Sequence, residues 1–239
     1  MPILVGIDGT GSAALPSAGR DREYDVAFAN SFVRRLCFPN TTNRRYFRGP
    51  VAGGGGLPEA IDSGYDFIIR RHRESENEPI LLTGYSRGGL GAVVIADRLK
   101  QENIPVAAML LFDCVDRHLA FDGRRIPNNV AYVHHVRRDP ASRSRQSFGN
   151  DGTAYSPPTV YTQKFYMCTH GGMGGTPWQP KAGQSTSELI DEGYAEGAVN
   201  AGLVGALFYR TNITFAQDGR ESQKIWSETQ PFIRTHRFV

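Results

Sequence analysis

The chain has 239 residues, and 40% of them are hydrophobic, which is enough to bury a sizeable core. Its 27 lysines and arginines against 24 aspartates and glutamates give a net charge of +3, and the arginines are scattered. This pattern argues against nucleic acid binding, and no apolar run is long enough to span a membrane. We therefore expect a single domain over residues 1–239 and no transmembrane segment.

The cysteines and the start of the chain bear on its compartment. Cys37, Cys114 and Cys168 are odd in number and lack C-x-x-C spacing, so buried free thiols are expected rather than a disulfide framework or a zinc site. The apolar run from Ile3 begins without a basic region or a cleavage site. A cytoplasmic location, or export by a route independent of a signal peptide, is therefore expected.

The first predicted strand, Ile3 to Ile7, leads into a glycine-rich loop at the end where open α/β sheets place ligand sites. Two interpretations of this loop compete. Asp8-Gly9-Thr10 resembles the nucleophile loop of haloacid-dehalogenase-type phosphatases, but Gly6 occupies the nucleophile's place. The alternative is that the Thr10–Gly11 backbone donates hydrogen bonds to an oxyanion.

The next segments predict a scaffold. Phe28, Phe32 and Leu36, four residues apart, indicate one amphipathic helix from Tyr24 to Cys37. A short strand from Arg45 to Val51 and a flexible glycine loop at 53–56 should follow. The loop lacks the lysine and Ser/Thr of a phosphate-binding P-loop. A helix from Leu57 to about Arg73 comes next.

The stretch from Pro79 to Asp97 is the most informative part of the sequence. An apolar run, Ile80 to Thr83, precedes Gly84-Tyr85-Ser86-Arg87-Gly88, and apolar residues at helical spacing follow. This is the context of a G-x-S-x-G nucleophile elbow, which exposes a serine hydroxyl at the edge of a sheet. The Arg87 N–H, at the start of the helix, would point towards a developing oxyanion.

Further strands are predicted at Pro105 to Phe112, Asn129 to Val136 and Gln163 to Thr169, so the class is α/β with a mostly parallel sheet covered by helices on both faces. The polar stretch 140–158 is a candidate lid or surface excursion. A long helix is predicted from Ser185 to Tyr209, and no element is assigned after Arg210. Four arginines are expected to form a solvated face, with contact to an anionic group as the alternative: Arg137, Arg138, Arg143 and Arg145.

A serine nucleophile needs a base and a carboxylate that orients the base. Ser86, aspartates after the next two strands, and His170 after the last strand follow the Ser…Asp…His order of α/β hydrolases. Asp113 is the favoured acid and Asp139 the alternative, whereas Asp116 is interpreted as a cap or surface charge. No metal or organic cofactor is implied.

These motifs resemble the α/β hydrolases with a G-F-S-R-G-A elbow, which include bacterial type VI secretion phospholipase effectors. The likeness covers roughly residues 3–175 and is carried by five segments: 8–11 (D-G-T-G), 84–89 (G-Y-S-R-G-G), 112–115 (F-D-C-V), 134–139 (H-H-V-R-R-D) and 170–175 (H-G-G-M-G-G). Departures from the family pattern are Gly172 in place of an acid and Gly89 in place of alanine.

The resemblance implies the α/β-hydrolase fold, with Ser86 as nucleophile, His170 as base, Asp113 or Asp139 as acid, and the Thr10–Gly11 loop at the oxyanion site. It implies cleavage of a carboxylic ester, of a lipid or phospholipid in the first place, through a Ser86 acyl-enzyme. A small-ester or thioester hydrolase and a non-catalytic binding protein of the same fold are the alternatives. The implied partners are an ester or lipid substrate and, for an effector, an immunity protein.

Overall fold

The computed structural model describes residues 1–11, 21–115, 118, 120–193 and 210–239. The strands are β1 (Ile3–Ile7), β2 (Arg44–Phe47), β3 (Ile80–Tyr85), β4 (Val106–Phe112), β5 (Val130–Arg138), β6 (Val160–Tyr166), β7 (Leu189–Asp191) and β8 (Arg210–Thr214). The helices are α1 (Asp21–Ala27), α2 (Phe32–Cys37), α3 (Leu57–Glu74), α4 (Arg87–Gln101), α5 (His170–Met173) and α6 (Phe215–Thr235).

A six-stranded sheet organises the chain, in the order β2-β1-β3-β4-β5-β6 with every neighbouring pair parallel. Strands β7 and β8 form a separate antiparallel pair. Because the six strands run the same way, their carboxyl ends meet at one edge of the sheet, and β3 lies third in the order. The loops after β1, β3, β4 and β6 therefore converge at that edge.

The apolar strands bury both faces of the sheet. On one face, Ile3 and Val5 pack with residues of α3 and α4, including Ile61 and Leu90. On the other, Leu4 and its neighbours pack with α2 and α6. Continuous apolar runs such as Ile80–Leu82 are what a sheet covered on both faces requires. The predicted α/β class, with a parallel sheet between helical layers, is confirmed.

Two predicted helices differ from the structure. The single helix expected from Tyr24 to Cys37 is broken into α1 and α2, because Ser31 adopts an extended backbone and caps a new helix by accepting a hydrogen bond from the Arg34 N–H. The helix expected from Ser185 to Tyr209 is wrong at its start, where Leu189–Asp191 pairs with β8. Residues 194–209 lie outside the described residues.

The other differences are smaller. The last strand of the main sheet runs over Val160–Tyr166, three residues earlier than expected. The segment after Arg210, to which the sequence assigned no element, forms β8 and α6. Among the helices of the described ranges, none combines the length and apolar character needed to cross a bilayer.

Candidate active site

The turn between β3 and α4 places Ser86 at the carboxyl edge of the sheet. Ser86 has φ 56° and ψ −128°, a conformation that an L-residue adopts only under strain. Both glycines of the turn are required by backbone packing. A Cβ on Gly84 would lie 2.3 Å from the Gly88 carbonyl oxygen, and one on Gly88 would lie 2.1 Å from the Ile7 carbonyl oxygen. These contacts and the strained serine are the features of a nucleophile elbow.

His170 lies beside this serine. Its Nε2 is 2.9 Å from Ser86 Oγ, and both residues are nearly buried, at 7% and 3% exposure. His170 begins the one-turn helix α5, which Thr169 caps through a hydrogen bond from the Gly172 N–H. The Tyr85 hydroxyl donates to the His170 carbonyl oxygen over 2.8 Å. His170 is therefore held by hydrogen bonds to its backbone carbonyl oxygen and to its imidazole ring.

The structure brings Asp113, and not Asp139, to the histidine. Asp113 Oδ2 is 2.6 Å from His170 Nδ1, and Asp113 is fully buried with φ 44°. The Asp139 carboxylate instead accepts a hydrogen bond from the Ala141 N–H, 2.8 Å away, and caps a short 3-10 turn. Asp139 as the acid partner of His170 is thus not what the structure shows. Asp116 lies outside the described residues.

The electrostatics of the pair suit a neutral base beside a charged acid. Burial lowers the pKa of His170, and the hydrogen bond to Asp113 offsets part of this effect. Burial alone would raise the pKa of Asp113, but Arg138 and His170 together hold it below its usual range. At neutral pH, Nδ1–H then donates to the ionised Asp113, and Nε2 is left to accept from the Ser86 hydroxyl.

The loop after β1 approaches the elbow, since a Cβ on Gly88 would lie 2.4 Å from the Asp8 carbonyl oxygen. The Gly11 N–H is used by the Pro50 carbonyl oxygen, 2.9 Å away, so it is not available to an oxyanion. Across the described residues, the Thr10 N–H has no such acceptor. Arg87 is the first residue of α4, where N–H groups point out along the helix axis. The N–H groups of Thr10 and Arg87 stay the predicted oxyanion donors.

The Arg87 side chain has a separate task. Its Nη1 donates to the carbonyl oxygens of Val51 and Ala52, 3.3 and 2.9 Å away. These residues begin the glycine-rich loop at 51–56, where Gly54 and Gly56 both have φ 90°. The side chain thus ties this loop to the elbow.

Asp8, the acidic residue of the loop that resembles a phosphatase nucleophile loop, is buried and serves to hold that loop in place. Its carboxyl group is fully buried and accepts hydrogen bonds from the Ser31 hydroxyl, the Tyr46 hydroxyl and the Gly9 N–H. Burial raises the pKa of Asp8 to about 7, against the lowering effect of these donors. Asp8 therefore anchors the β1 loop to α2 and β2.

Several residues that support the site carry no motif in the sequence. Arg138, expected on a solvated face, is 4% exposed and lies 3.2 Å from Asp113 Oδ2 through its Nε. Ser144 accepts from the His170 N–H and donates to Glu192 Oε1, which is also buried. Phe148 stands edge-on to the His170 ring at 5.1 Å. Only the position of Arg138, one residue before Asp139 at the end of an apolar strand, could have suggested a role.

Asp218 of α6 also fixes the loop that carries His170. Its fully buried carboxylate accepts hydrogen bonds from the Thr169 N–H (2.8 Å), the Thr169 hydroxyl (2.9 Å) and the Trp178 N–H (2.9 Å). Three donors on two segments thus converge on one side chain. No motif in the sequence indicates this contact.

Replacing Asp218 with alanine should lower the free energy of unfolding by about 2 kcal/mol, because buried donors lose their acceptor. Urea unfolding followed by circular dichroism measures the effect. Glu221→Ala is the control, since this carboxylate on the same helix pairs with Lys224 at 3.7 Å, a long i,i+3 contact of small expected energy. Equal unfolding midpoints for the two variants would contradict the assigned role of Asp218.

Within the described ranges, no group of three His, Cys, Asp or Glu side chains is arranged to hold a metal ion. Cys37, Cys114 and Cys168 are buried free thiols. His135, also buried, accepts a hydrogen bond from the Cys114 N–H at Nε2 over 3.1 Å. Burial lowers the pKa of His135 to about 3, so this second histidine near Asp113 is neutral.

Comparisons with known proteins give structural likenesses only. No protein-family model and no curated protein sequence matches the chain. The NocB thioesterase domain, in covalent complex with a fluorophosphonate nocardicin G analogue, is 14% identical with a TM-score of 0.38, covering 74% of this chain and 91% of that one. The RedJ thioesterase of the prodiginine pathway in Streptomyces coelicolor is 11% identical with a TM-score of 0.37, covering 74% and 82%.

A bacterial heroin esterase is 22% identical with a TM-score of 0.28, covering 52% of this chain and 36% of that one. Similarity at this level carries no argument about what the chain does. The assignment rests on the chain's own strand order and on its strand-turn-helix elbow with a strained serine. On these features, the chain has the α/β-hydrolase fold.

Proposed function

We propose that the protein is a serine hydrolase that cleaves carboxylic esters through a Ser86 acyl-enzyme. The observation that carries the proposal is the continuous hydrogen-bonded chain from Ser86 Oγ through His170 to Asp113, with distances of 2.9 and 2.6 Å. A serine hydroxyl is a weak nucleophile at neutral pH, and this arrangement supplies both a base and a group that fixes the base's tautomer.

The reaction would run in two halves. Ser86 Oγ attacks the ester carbonyl while His170 Nε2 takes its proton, and the resulting imidazolium is stabilised by Asp113. Backbone N–H groups of Thr10 and Arg87 would hold the oxyanion. His170 then gives the proton to the leaving alkoxide, which departs as an alcohol. Water, deprotonated by the same Nε2, attacks the acyl-enzyme and releases the acid.

Within this class, we propose a lipid or phospholipid acyl ester as the substrate, on the strength of the motifs shared with phospholipase effectors. A small-ester or thioester substrate would use the same acyl-enzyme and is distinguished only by the leaving group and the chain length. The excursion at 140–158 is proposed as the cover of the site, because Phe148 packs against the His170 ring. For an effector, an immunity protein would be the partner.

A fluorophosphonate probe tests the chemistry directly, because it labels only an activated serine. The intact protein should be labelled, whereas Ser86→Ala and His170→Ala should not. Ser227→Ala is the matched control, since Ser227 is an exposed serine on α6. An unlabelled but folded intact protein would overturn the proposal in favour of a binding protein of this fold. Equal labelling of the intact protein and Ser86→Ala would overturn the assignment of Ser86 as the nucleophile.

Substrate class is tested separately with p-nitrophenyl esters of short and long acyl chains and with acyl thioesters. A lipid-directed enzyme should show kcat/KM rising with chain length. Faster turnover of short esters, or of thioesters, would remove the lipid assignment while leaving the serine hydrolase in place.

A further inference from the structure

Arg138 makes an unusual contact with the acid of the site. It is the last residue of β5, it is 4% exposed, and its Nε lies 3.2 Å from Asp113 Oδ2. This oxygen is also the one that His170 Nδ1 contacts at 2.6 Å. The Arg138 backbone N–H is 3.4 Å from the other oxygen, Oδ1. The carboxylate is thus shared between the histidine and an arginine.

The rest of the guanidinium is occupied by backbone carbonyl oxygens of the 140–158 excursion. Nη1 donates to Ser144 and Arg145 over 3.2 and 3.1 Å, and Nη2 donates to Gly149 over 2.6 Å. A planar guanidinium presents its N–H groups in fixed directions, so these bonds orient Nε as well. Arg138 is therefore locked in place and cannot turn away from Asp113 without breaking them.

Given the proposed function, we propose that Arg138 is a positioning residue that holds the Asp113 carboxylate against His170 and offsets part of its negative charge. An acid that faces only its histidine stabilises the imidazolium with its full charge. Here a permanent cation competes for the same oxygen, so the pair formed by Asp113 and His170 binds a proton less readily.

The other groups around the pair do not replace this cation. His135 is neutral, as its pKa is lowered to about 3 by burial. Tyr85 is neutral because burial raises its pKa far above the usual range. Glu192, whose pKa burial also raises, is reached through Ser144, and Arg145 faces Glu192 at 3.9 Å. Among the described residues, Arg138 is the guanidinium or ammonium group that contacts Asp113 directly.

The consequence is a base that stays neutral, and therefore active, in mildly acidic solution. Burial, Arg138 and, to a smaller extent, Arg145 act to lower the pKa of His170, and Asp113 acts to raise it. Because catalysis needs neutral Nε2, kcat/KM falls as pH drops through this pKa. Removing the Arg138 charge should raise the pKa of His170, so the acidic limb of the kcat/KM–pH profile should move to higher pH.

The experiment compares Arg138→Gln, Arg138→Lys and Arg137→Gln with the intact protein. The control, Arg137, is the neighbouring residue on β5, and its guanidinium pairs with Gln163 at 2.7 Å and covers the Phe165 ring instead. In Arg138→Gln, the acidic limb of kcat/KM should move up by roughly one pH unit. Arg138→Lys, which keeps the charge, and Arg137→Gln should stay close to the intact enzyme.

The His170 ring is titrated by NMR in the same proteins, so the result does not depend on any ester being turned over. Its protonation midpoint should rise by roughly one unit in Arg138→Gln. An unmoved midpoint, with kcat/KM reduced equally at every pH, would overturn the proposal and leave a purely structural arginine. If Arg138→Gln does not fold, a one-unit rise in Arg138→Lys would likewise overturn it.

Discussion

Replacing Asp113 with asparagine is expected to lower kcat for ester hydrolysis by about 10⁴-fold, the loss typical when a triad acid becomes an amide. Asparagine has nearly the same shape, so Ser86 and His170 should stay in place. The amide can donate a hydrogen bond to Nδ1, however, which favours the tautomer with the proton on Nε2. A protonated Nε2 cannot accept the proton of the Ser86 hydroxyl. Initial rates at saturating p-nitrophenyl ester measure the loss.

The matched control is Asp139→Asn, at the acid that the sequence left as the alternative. Asparagine is as good a helix cap as aspartate, so it can keep the hydrogen bond from the Ala141 N–H. Its kcat should change less than twofold. A large loss in Asp139→Asn with activity retained in Asp113→Asn would reverse the assignment of the acid.

Asp113→Asn also removes the charge that faces Arg138 in a buried site, so a loss of stability must be separated from a loss of catalysis. Urea unfolding of the variant gives the first quantity, and the rate at temperatures well below its midpoint gives the second. A variant that is folded but inactive supports the role of Asp113. A variant that regains activity once its folding is stabilised would contradict it.

The elbow and the parallel character of the sheet were predictable because they depend on local signals. Gly84, Ser86 and Gly88 stand between a short apolar run and a helical pattern. A strand-turn-helix elbow is formed by consecutive residues, so its motif can be recognised in the sequence. The parallel sheet followed for the same reason, since its strands read as continuous apolar runs. His170 could be placed because it follows the last strand of the sheet, β6, which ends at Tyr166.

Other features of the site depend on contacts between residues far apart in the sequence, which local sequence patterns do not predict. Asp113 and Asp139 both follow a strand, and only the three-dimensional course of the chain places one of them 2.6 Å from His170. Arg138 was interpreted as solvated because charged residues usually are, but a carboxylate 25 positions away pairs with it in the core. The break between α1 and α2 similarly depends on Ser31, which binds Asp8 as well as capping α2.

Replacing Gly88 with alanine should lower the free energy of unfolding by about 3 kcal/mol, at the upper end of what overpacking costs. The new Cβ would lie 2.1 Å from the Ile7 carbonyl oxygen and 2.4 Å from that of Asp8. Both are backbone atoms of β1 and the loop that follows it, so the clash cannot be relieved by rotating a side chain. The elbow would have to separate from the loop that carries Thr10.

Gly219→Ala is the control within the same chain. A Cβ at this position of α6 meets nothing within 4 Å, and alanine is favoured over glycine inside a helix, so stability should rise by roughly 0.5–1 kcal/mol. Urea midpoints compared at equal m-value measure both changes. Because the displaced loop also carries the proposed oxyanion donor, Gly88→Ala should lose activity even where it remains folded. Unfolding midpoints that differ little between the two variants would mean that the β1 loop can yield, and that the close approach of Gly88 does not hold the site together.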